Sequence, residues 1–183
     1  MPRRRTLLLS LLPAPWAAAA DAAAAAPPPE LQGLLPEARL RGSATLRFFG
    51  LHVYDAQLWT PEQAAGAADP LGQPLALALT YGRALVGAQI ARRSLDEMQR
   101  IGSFSAAQGE RWLQAMTALF PDVRAGDRLT GLHLPGRAVR FFHNGLPRGE
   151  VADAEFAPLF FGIWLSPRTS EPRLRAQLLG RTP

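Results

Sequence analysis

The chain has 183 residues, a formal net charge of +5 and no cysteine. This length allows one domain with a substantial core, and the lack of cysteine excludes disulfides, thiolate metal sites and a cysteine nucleophile. If residues 3–5 are removed with a leader, the 20 basic residues lose three arginines and nearly balance the 15 acidic residues. No segment interleaves dense basic residues with aromatics, so a nucleic-acid binder is not indicated.

The first twenty residues have the layout of a secretory signal. Met1–Arg5 is a basic head, Thr6–Leu12 is a short apolar core, and the small residues Ala18–Ala20 fit cleavage before Asp21. A short membrane anchor is the alternative, but two prolines follow an apolar run that is too short to span a bilayer. The pattern predicts a signal peptide over residues 1–20 and a periplasmic or secreted protein, exported by the Sec or the twin-arginine route, with no integral membrane span after cleavage.

The lead and the first strands follow the signal. Residues 21–36 are rich in Ala and Pro without periodicity, which predicts a flexible lead, and the domain is expected to cover residues 37–183. Leu40–Phe49 and Leu51–Thr60 are rich in aromatic and β-branched residues. They predict two strands, or one long bent strand with Gly50 as a bulge or turn.

The middle of the chain predicts a buried strand followed by two helices. Pro61–Pro74 has the composition of a loop, and Leu75–Tyr81 is a short apolar run typical of a buried strand. The apolar spacing within Ala84–Arg100 is close to 3.6, which predicts a helix. Ser105 is expected to cap a second amphipathic helix over Ala106–Phe120.

The last third of the chain predicts a meander and two short helices. The segments Arg128–Leu134, Ala138–His143 and Leu146–Val151 alternate between turn signals, and the Asn-Gly pair before the last of them is the strongest hairpin signal in the chain. Asp153 is expected to cap a helix through Phe161.

Ser170 is expected to cap a final helix over Glu171–Leu179. An antiparallel sheet, with helices grouped in the middle and at the end of the chain, predicts an α+β fold with the helices on one face.

Common catalytic and metal-binding motifs are missing from the sequence. The three histidines, His52, His133 and His143, are not spaced as metal ligands, so no metal site is expected. Neither the nucleophile elbow of serine hydrolases nor a nucleotide-binding glycine motif occurs, so no cofactor is expected. Asp96 and Glu97 lie among charged neighbours in a predicted helix, which favours a solvated face.

Arg47 stands out because it interrupts an apolar, aromatic strand pattern. Its charge is permanent near neutral pH, and a buried, unpaired guanidinium would cost several kcal/mol, so Arg47 either faces solvent or is kept for an anionic partner. If this stretch is extended, the residues that share a face with Arg47 are Phe49, Leu51 and Val53. Tyr54 then falls on the other face unless Gly50 bulges.

A series of short segments spans nearly the whole domain in a characteristic order. They are Gly42–Arg47, His52–Trp59, Leu79–Tyr81, Phe120–Val123, Gly126–Leu129, Phe142–Gly145, Phe160–Leu165 and Leu174–Gly180. Together they resemble the exported bacterial branch of the chalcone isomerase-like family. The resemblance implies an open-faced β-sandwich: helices cover one side of a large antiparallel sheet and leave an amphipathic ligand cleft between the two layers.

The resemblance also implies a function. Plant members of the family close a chalcone to a flavanone without a cofactor, and related members bind fatty acids by holding the carboxylate with an Arg and a Tyr. Arg47 matches the arginine of the cleft, with Arg41 as a competitor, because the plant enzymes carry extra residues after that arginine. This chain has Phe49 in place of a plant Thr, and no clear counterparts of the plant Tyr and Asn occur in residues 103–111.

We therefore expect a binder of a small amphipathic anion, such as a fatty acid or an aromatic acid. The residues expected to form its site are Arg47, Phe49, Leu51, Val53, Tyr54 and Tyr81. A cofactor-independent intramolecular lyase or isomerase of chalcone-like enones, with Arg47 as its catalytic residue, is one alternative. An envelope interaction protein without a ligand is another. Oligomeric state is left open by the sequence.

Overall fold

A computed structural model describes residues 26–64 and 69–181. The predicted signal peptide, the start of the predicted lead and four residues of the predicted loop before Leu75 lie outside the described residues. Within the described residues, no helix is both long enough and apolar enough to cross a membrane.

The described residues form one six-stranded antiparallel sheet and four α-helices, which confirms the predicted α+β fold. The strands lie side by side in chain order. They are β1 (Ala38–Phe48), β2 (Leu51–Pro61), β3 (Leu75–Tyr81), β4 (Arg128–Leu134), β5 (Ala138–His143) and β6 (Leu146–Val151). The helices are α1 (Gly87–Ile101), α2 (Ala106–Leu119), α3 (Phe156–Leu165) and α4 (Pro172–Leu178).

The β1–β2 connection is a tight turn, so the alternative of one long bent strand does not hold. Phe49 and Gly50 have φ angles of +48° and +79°, the pattern of a two-residue type I′ hairpin. Past the turn the pairing shifts: Arg47 lies opposite His52, whereas Leu46 lies opposite Tyr54. The extra residue of this bulge places Tyr54 on the same face of the sheet as Leu46.

Helix α1 begins three residues later than predicted because the preceding residues are extended. Leu85 pairs with Val123 as an isolated β-bridge. The backbone N–H of Gly87 then donates a hydrogen bond of 2.8 Å to the Asp122 carboxylate. A side chain from the loop after α2 therefore caps α1 and fixes its position against β3.

Of the two predicted caps in the last part of the chain, Asp153 caps the turn that leads into α3, whereas Ser170 does not cap α4. Asp153 lies ahead of α3, where its carboxylate accepts the indole N–H of Trp112 at 2.8 Å and the backbone N–H of Glu155 at 2.9 Å. Ser170 donates its hydroxyl to Glu97 at 3.0 Å, and α4 starts at Pro172, a residue suited to the first helical turn. A long-range partner took the Ser170 side chain away from the local capping role, whereas Asp153 serves both a local and a long-range partner.

The two faces of the sheet are covered differently. On one face, α1, α2 and α3 enclose the main core, which includes an aromatic group of Trp112, Phe120, Phe141, Phe156, Phe160 and Phe161. On the opposite face, Leu31 and Leu35 are 1% and 3% exposed and pack on Trp59. This part of the chain was predicted to be a flexible lead, but the burial of its leucines makes it a cover for the sheet.

Candidate functional site

A cavity of about 500 Å³ lies between the helix-covered face of the sheet and helices α1 and α3. Sites for small organic ligands fall in the range of roughly 300–1,000 Å³. The apolar and aromatic lining residues are Leu46, Phe48, Val53, Tyr54, Leu79, Tyr81, Leu85, Ile90, Phe120, Leu129, Phe160, Ile163 and Trp164. The polar lining residues are Arg83, Gln89, Arg93, Ser94, Glu97, Ser170 and Glu171.

Two tyrosines form the polar centre of the cavity wall. Tyr54 on β2 lies directly opposite Tyr81 on β3 in the strand register, so both side chains project from the same face. Their ring centroids are 6.0 Å apart and the ring planes meet at 81°, an edge-to-face arrangement. The sheet therefore places two phenol groups side by side against an otherwise apolar space.

The phenol groups keep unused hydrogen-bonding capacity. The indole N–H of Trp164 on α3 donates to the Tyr54 hydroxyl oxygen at 2.9 Å. A hydroxyl has one hydrogen to donate, and among the described residues neither the Tyr54 nor the Tyr81 hydroxyl has an acceptor for it. Two O–H donors are thus free to act on a molecule in the cavity.

Burial keeps these donors protonated. Desolvation raises the pKa of Tyr54 to about 12, and it raises the pKa of Tyr81 as well, with a further contribution from Tyr54 itself. A phenol with a raised pKa does not lose its proton near neutral pH. The pair is therefore suited to donate hydrogen bonds and unsuited to act as a base.

Glu97 of α1 is buried beside the cavity, contrary to the solvated face predicted for it, whereas its neighbour Asp96 is exposed. Its carboxylate meets the guanidinium of Arg93 at 2.6 Å and that of Arg100 at 3.7 Å. It also accepts the hydrogen bond from Ser170. These partners compensate the buried charge. The charged neighbours of Glu97 in the sequence predicted a solvated face, but the helix turns this side chain toward the core.

The mouth of the cavity carries charges of both signs. Arg83 follows β3 directly and is exposed, and it makes no ion pair or hydrogen bond within the described part of the chain. Arg93 is committed to Glu97. The Glu171 side chain, at the start of α4, has no cationic partner among the described residues, and its charge contributes to the raised pKa of Tyr54.

The predicted site residues divide into two groups. Val53, Tyr54 and Tyr81 line the cavity. The other three, Arg47, Phe49 and Leu51, are exposed and lie outside its lining. The reason is the turn at Phe49 and Gly50: β1 places Leu46 and Phe48 on the cavity side, and strand alternation turns the residue between them outward.

Neither predicted arginine lies in the cavity lining. The part of Arg47 in ligand binding stays a prediction. Arg41, its competitor, lies next to the end of α4, where burial and then the charge of Arg181 lower its pKa. The arginines that do line the cavity are Arg83 and Arg93.

Sequence reasoning missed Arg83 and Trp164. A signal for Arg83 was available, because it comes two residues after Tyr81 at the end of a predicted buried strand, a common place for binding residues. Trp164 gave no such signal, because its contact with Tyr54 joins residues that are 110 positions apart. Among the described residues, no group of three His, Asp or Glu side chains is arranged to hold a metal ion.

Comparison with known proteins identifies the family. A family model described as chalcone isomerase-like matches residues 23–180. The chain belongs to the chalcone isomerase-like family. An uncharacterized protein of Haemophilus influenzae is 30% identical over 141 residues, which cover 77% of this chain and 67% of that protein.

A solved structure has the same fold as the protein described by residues 26–64 and 69–181. The crystal structure of a fatty-acid binding protein of Arabidopsis thaliana superposes with a TM-score of 0.62 at 13% sequence identity. The alignment covers 79% of this chain and 87% of that chain. The resemblance to the chalcone isomerase-like family and the predicted sheet with helices are both confirmed.

Proposed function

We propose that this protein binds a small amphipathic anion, a fatty acid or an aromatic acid, in the cavity between sheet and helices. The observation that carries the proposal is the pair of phenol groups, Tyr54 and Tyr81, whose O–H hydrogens have no acceptor among the described residues and which lie in a largely apolar cavity of about 500 Å³. The fatty-acid binding protein with the same fold supports this ligand class.

The cavity lining suits both the apolar body and the charged head group of such a ligand. An acyl chain or aromatic ring gains from leaving water for the apolar lining, by about 25 cal/mol per Å² of buried surface. A carboxylate accepts hydrogen bonds only, and bonds from neutral O–H donors to an ionised acceptor are stronger than neutral pairs. Tyr54 and Tyr81 supply such donors, and their raised pKa keeps the hydrogens in place.

Arg83 supplies the positive charge in this proposal. Its guanidinium lines the cavity and lacks a partner among the described residues, whereas Arg93 already neutralises Glu97. Glu171 also lines the cavity, and its negative charge acts on Tyr54. An anionic head group is attracted by Arg83 and repelled by Glu171, so the Tyr81 side of the phenol pair, where Glu171 has no resolved effect, suits it best.

The test compares an acid with its alcohol. We expect Tyr54→Phe and Tyr81→Phe each to weaken binding of a long-chain fatty acid about tenfold, the effect of losing a hydrogen bond worth about 1.5 kcal/mol to a charged group. Affinity for the fatty alcohol of the same chain length should change much less, because the alcohol bears no charge. Isothermal titration calorimetry measures both, and equal losses for acid and alcohol would contradict the proposal.

A cofactor-independent isomerase or lyase of chalcone-like enones is the second candidate. O–H donors in an apolar cavity are what a developing enolate oxygen requires. Glu97 is engaged by Arg93, Arg100 and Ser170, and the tyrosines hold their protons, so Glu171 is the lining carboxylate left to act as a base. Decay of the enone absorbance of a chalcone above the buffer rate, lost in Tyr81→Phe, would favour the enzyme.

Export belongs to the same proposal. Residues 1–20 have the pattern of a signal peptide, and they lie outside the described residues. We expect the protein from its own host to begin near Asp21 and to fractionate with the periplasm or the medium. Intact-mass measurement of protein from that fraction tests this, and a mass that retains residues 1–20 would contradict it.

A further inference from the structure

The exposed large apolar side chains of the described residues gather at one end of the sheet. Phe48, Phe49 and Leu51 lie at the β1–β2 turn, Val86 follows β3, and Leu146 follows the β5–β6 turn, with exposures from 46% to 90%. Because the strands are antiparallel neighbours in chain order, the connections after β1, β3 and β5 emerge at the same end.

Four of these side chains lie on or beside residues that line the cavity and are called the tip here: Phe48, Phe49, Leu51 and Val86. Phe48 is part of the cavity lining, and so is Leu85, the neighbour of Val86. The loop that carries Val86 is tied to β2 by a hydrogen bond of 2.9 Å from the Gly82 N–H to the Val53 carbonyl. The tip is thus an apolar rim on the entrance to the cavity.

Phe49 occupies a backbone position that its side chain does not favour. The β5–β6 hairpin makes the same two-residue turn with Asn144 and Gly145, at φ angles of +50° and +85°. Asn tolerates the left-handed region, whereas an aromatic residue there is strained, yet Phe49 at +48° is 90% exposed and stacks only edge-on against Phe48 at 4.6 Å. Folding does not explain this residue, and a strained, exposed aromatic points to a contact outside the molecule.

The tip is flanked by positive charge. Arg47 and Arg83 are exposed and make no ion pair or hydrogen bond within residues 26–64 and 69–181. The segments that carry them, residues 44–54 and 82–86, contain no Asp or Glu. Aromatic and leucine side chains beside arginines are the combination that binds the interface of an anionic bilayer.

We propose that the tip inserts into the surface of a lipid bilayer that contains anionic phospholipids, with Arg47 against the phosphate groups. Insertion at this place turns the entrance of the cavity toward the lipid, so a hydrophobic molecule would pass between membrane and cavity without crossing water. The docking itself does not depend on what fills the cavity, and it is tested without any added ligand. It also gives the exposed Arg47 an anionic partner.

Two matched leucines give a site-specific test. Leu51 and Leu146 each open a strand after a two-residue turn, and they are 56% and 70% exposed. Because the chain has no cysteine, Leu51→Cys and Leu146→Cys each accept one polarity-sensitive label. With vesicles of phosphatidylglycerol and phosphatidylcholine we expect a blue shift, and quenching by brominated acyl chains, at position 51 only.

The label reports its own position, whatever residues 1–25 do in the full chain. A signal that is equal at both positions, or missing at position 51, would overturn the proposal. Vesicles of phosphatidylcholine alone should give a weaker signal, because the charge attraction is lost.

A substitution series separates docking from folding. Phe49→Asn copies the other hairpin, so the melting temperature should stay equal or rise, while the vesicle partition coefficient falls about tenfold, which is about 1.4 kcal/mol. Leu146→Asn is the control and should change partitioning less than twofold. Unchanged partitioning of Phe49→Asn would overturn the proposal. It would also be overturned, in favour of a protein partner, if the protein did not bind vesicles but formed a dimer that Phe49→Asn dissociates.

Discussion

Two buried polar sites, one on each face of the sheet, differ in whether the fold supplies their hydrogen-bond partners. On the face covered by residues 28–35, the Glu30 carboxylate is 1% exposed and fully engaged, by Arg128 at 2.9 and 3.1 Å and by the Thr130 hydroxyl at 2.6 Å. On the helix face, Tyr54 and Tyr81 keep hydrogens without an acceptor among the described residues. Glu30 has its partners built into the fold, whereas the two phenols have donors left for another molecule.

The difference teaches where function resides in this sheet. Burial opposes the charge of Glu30, but hydrogen bonds from Arg128 and Thr130 outweigh it, so the pKa of this carboxyl is lowered. At Tyr54 and Tyr81 burial dominates and the pKa is raised. A polar group whose partners are built into the fold contributes to stability, whereas a buried donor without a partner costs stability and indicates a binding site.

Breaking the closed face should give the largest effect of any single substitution. Arg128→Met leaves the Glu30 carboxylate buried without its cation, so we expect the free energy of unfolding to fall by about 3 kcal/mol. Chemical denaturation measures it. Glu30→Gln is the matched control and should cost only about 1 kcal/mol, because Arg128 is partly exposed and regains water. If the two variants lose equal stability, the cover over this face is not held by the charge pair.

The cavity face can be tested through its only two titrating phenols. Tyr54 and Tyr81 are the only tyrosines, and all 20 basic residues are arginines, so no lysine titration overlaps theirs. Because the folded pKa is raised from 10.0 to about 12 at Tyr54 and is also raised at Tyr81, the unfolded chain loses these protons first. Each phenol should therefore lower the free energy of unfolding by about 2 kcal/mol between about pH 10 and pH 12, and the pair by about 4 kcal/mol.

Near-ultraviolet absorbance checks the alkaline prediction directly. The native protein should show no phenolate step at pH 10, and in denaturant the step should return to that pH. The variant Tyr54→Phe, Tyr81→Phe should lose the alkaline decline in stability. A phenolate step at pH 10 in the native state would mean that the phenols are solvated and that the cavity face is not dry.

Substitutions of the charged residues at the cavity mouth should give the smallest changes in ligand affinity, and the two changes should have opposite signs. For an anionic ligand, Arg83→Gln should weaken binding about threefold and Glu171→Gln should strengthen it by a similar factor, which corresponds to about 0.6 kcal/mol for a solvent-screened pair. Calorimetry with a fatty acid at two salt concentrations measures both. The opposite pattern of signs would indicate a cationic ligand, and two null effects would place the head group away from the mouth.

The strands and long helices could be predicted because their signals are local. The segments Arg128–Leu134, Ala138–His143 and Leu146–Val151 have the bounds that turn residues and alternation predicted. The capping box of Ser105 and Gln108 at the start of α2 was likewise readable from adjacent residues. Hydrophobic periodicity and turn-forming residues act within a few positions of the chain, so both can be read directly from the sequence.

The site was only half predictable because strand register decides it. A two-residue turn at Phe49 and a bulge opposite Arg47 moved the cavity side to Leu46, Phe48 and Tyr54. A shift of one residue reverses which side chains face the core, and single-sequence reading cannot fix that shift. For this reason the alternation pattern placed Arg47 on the cavity side of the sheet, whereas the structure turns it outward.

By itself, the sequence of this protein determined the order of its elements, its resemblance to the family, and the presence of an arginine among aromatics at the first hairpin. Only the tertiary structure decided that Tyr54 meets Tyr81, that Trp164 reaches Tyr54 from another layer, and that Glu30 closes the far face through Arg128. Elements follow from short-range sterics and hydrophobic period, whereas partners that are 27 to 110 positions apart are chosen by packing.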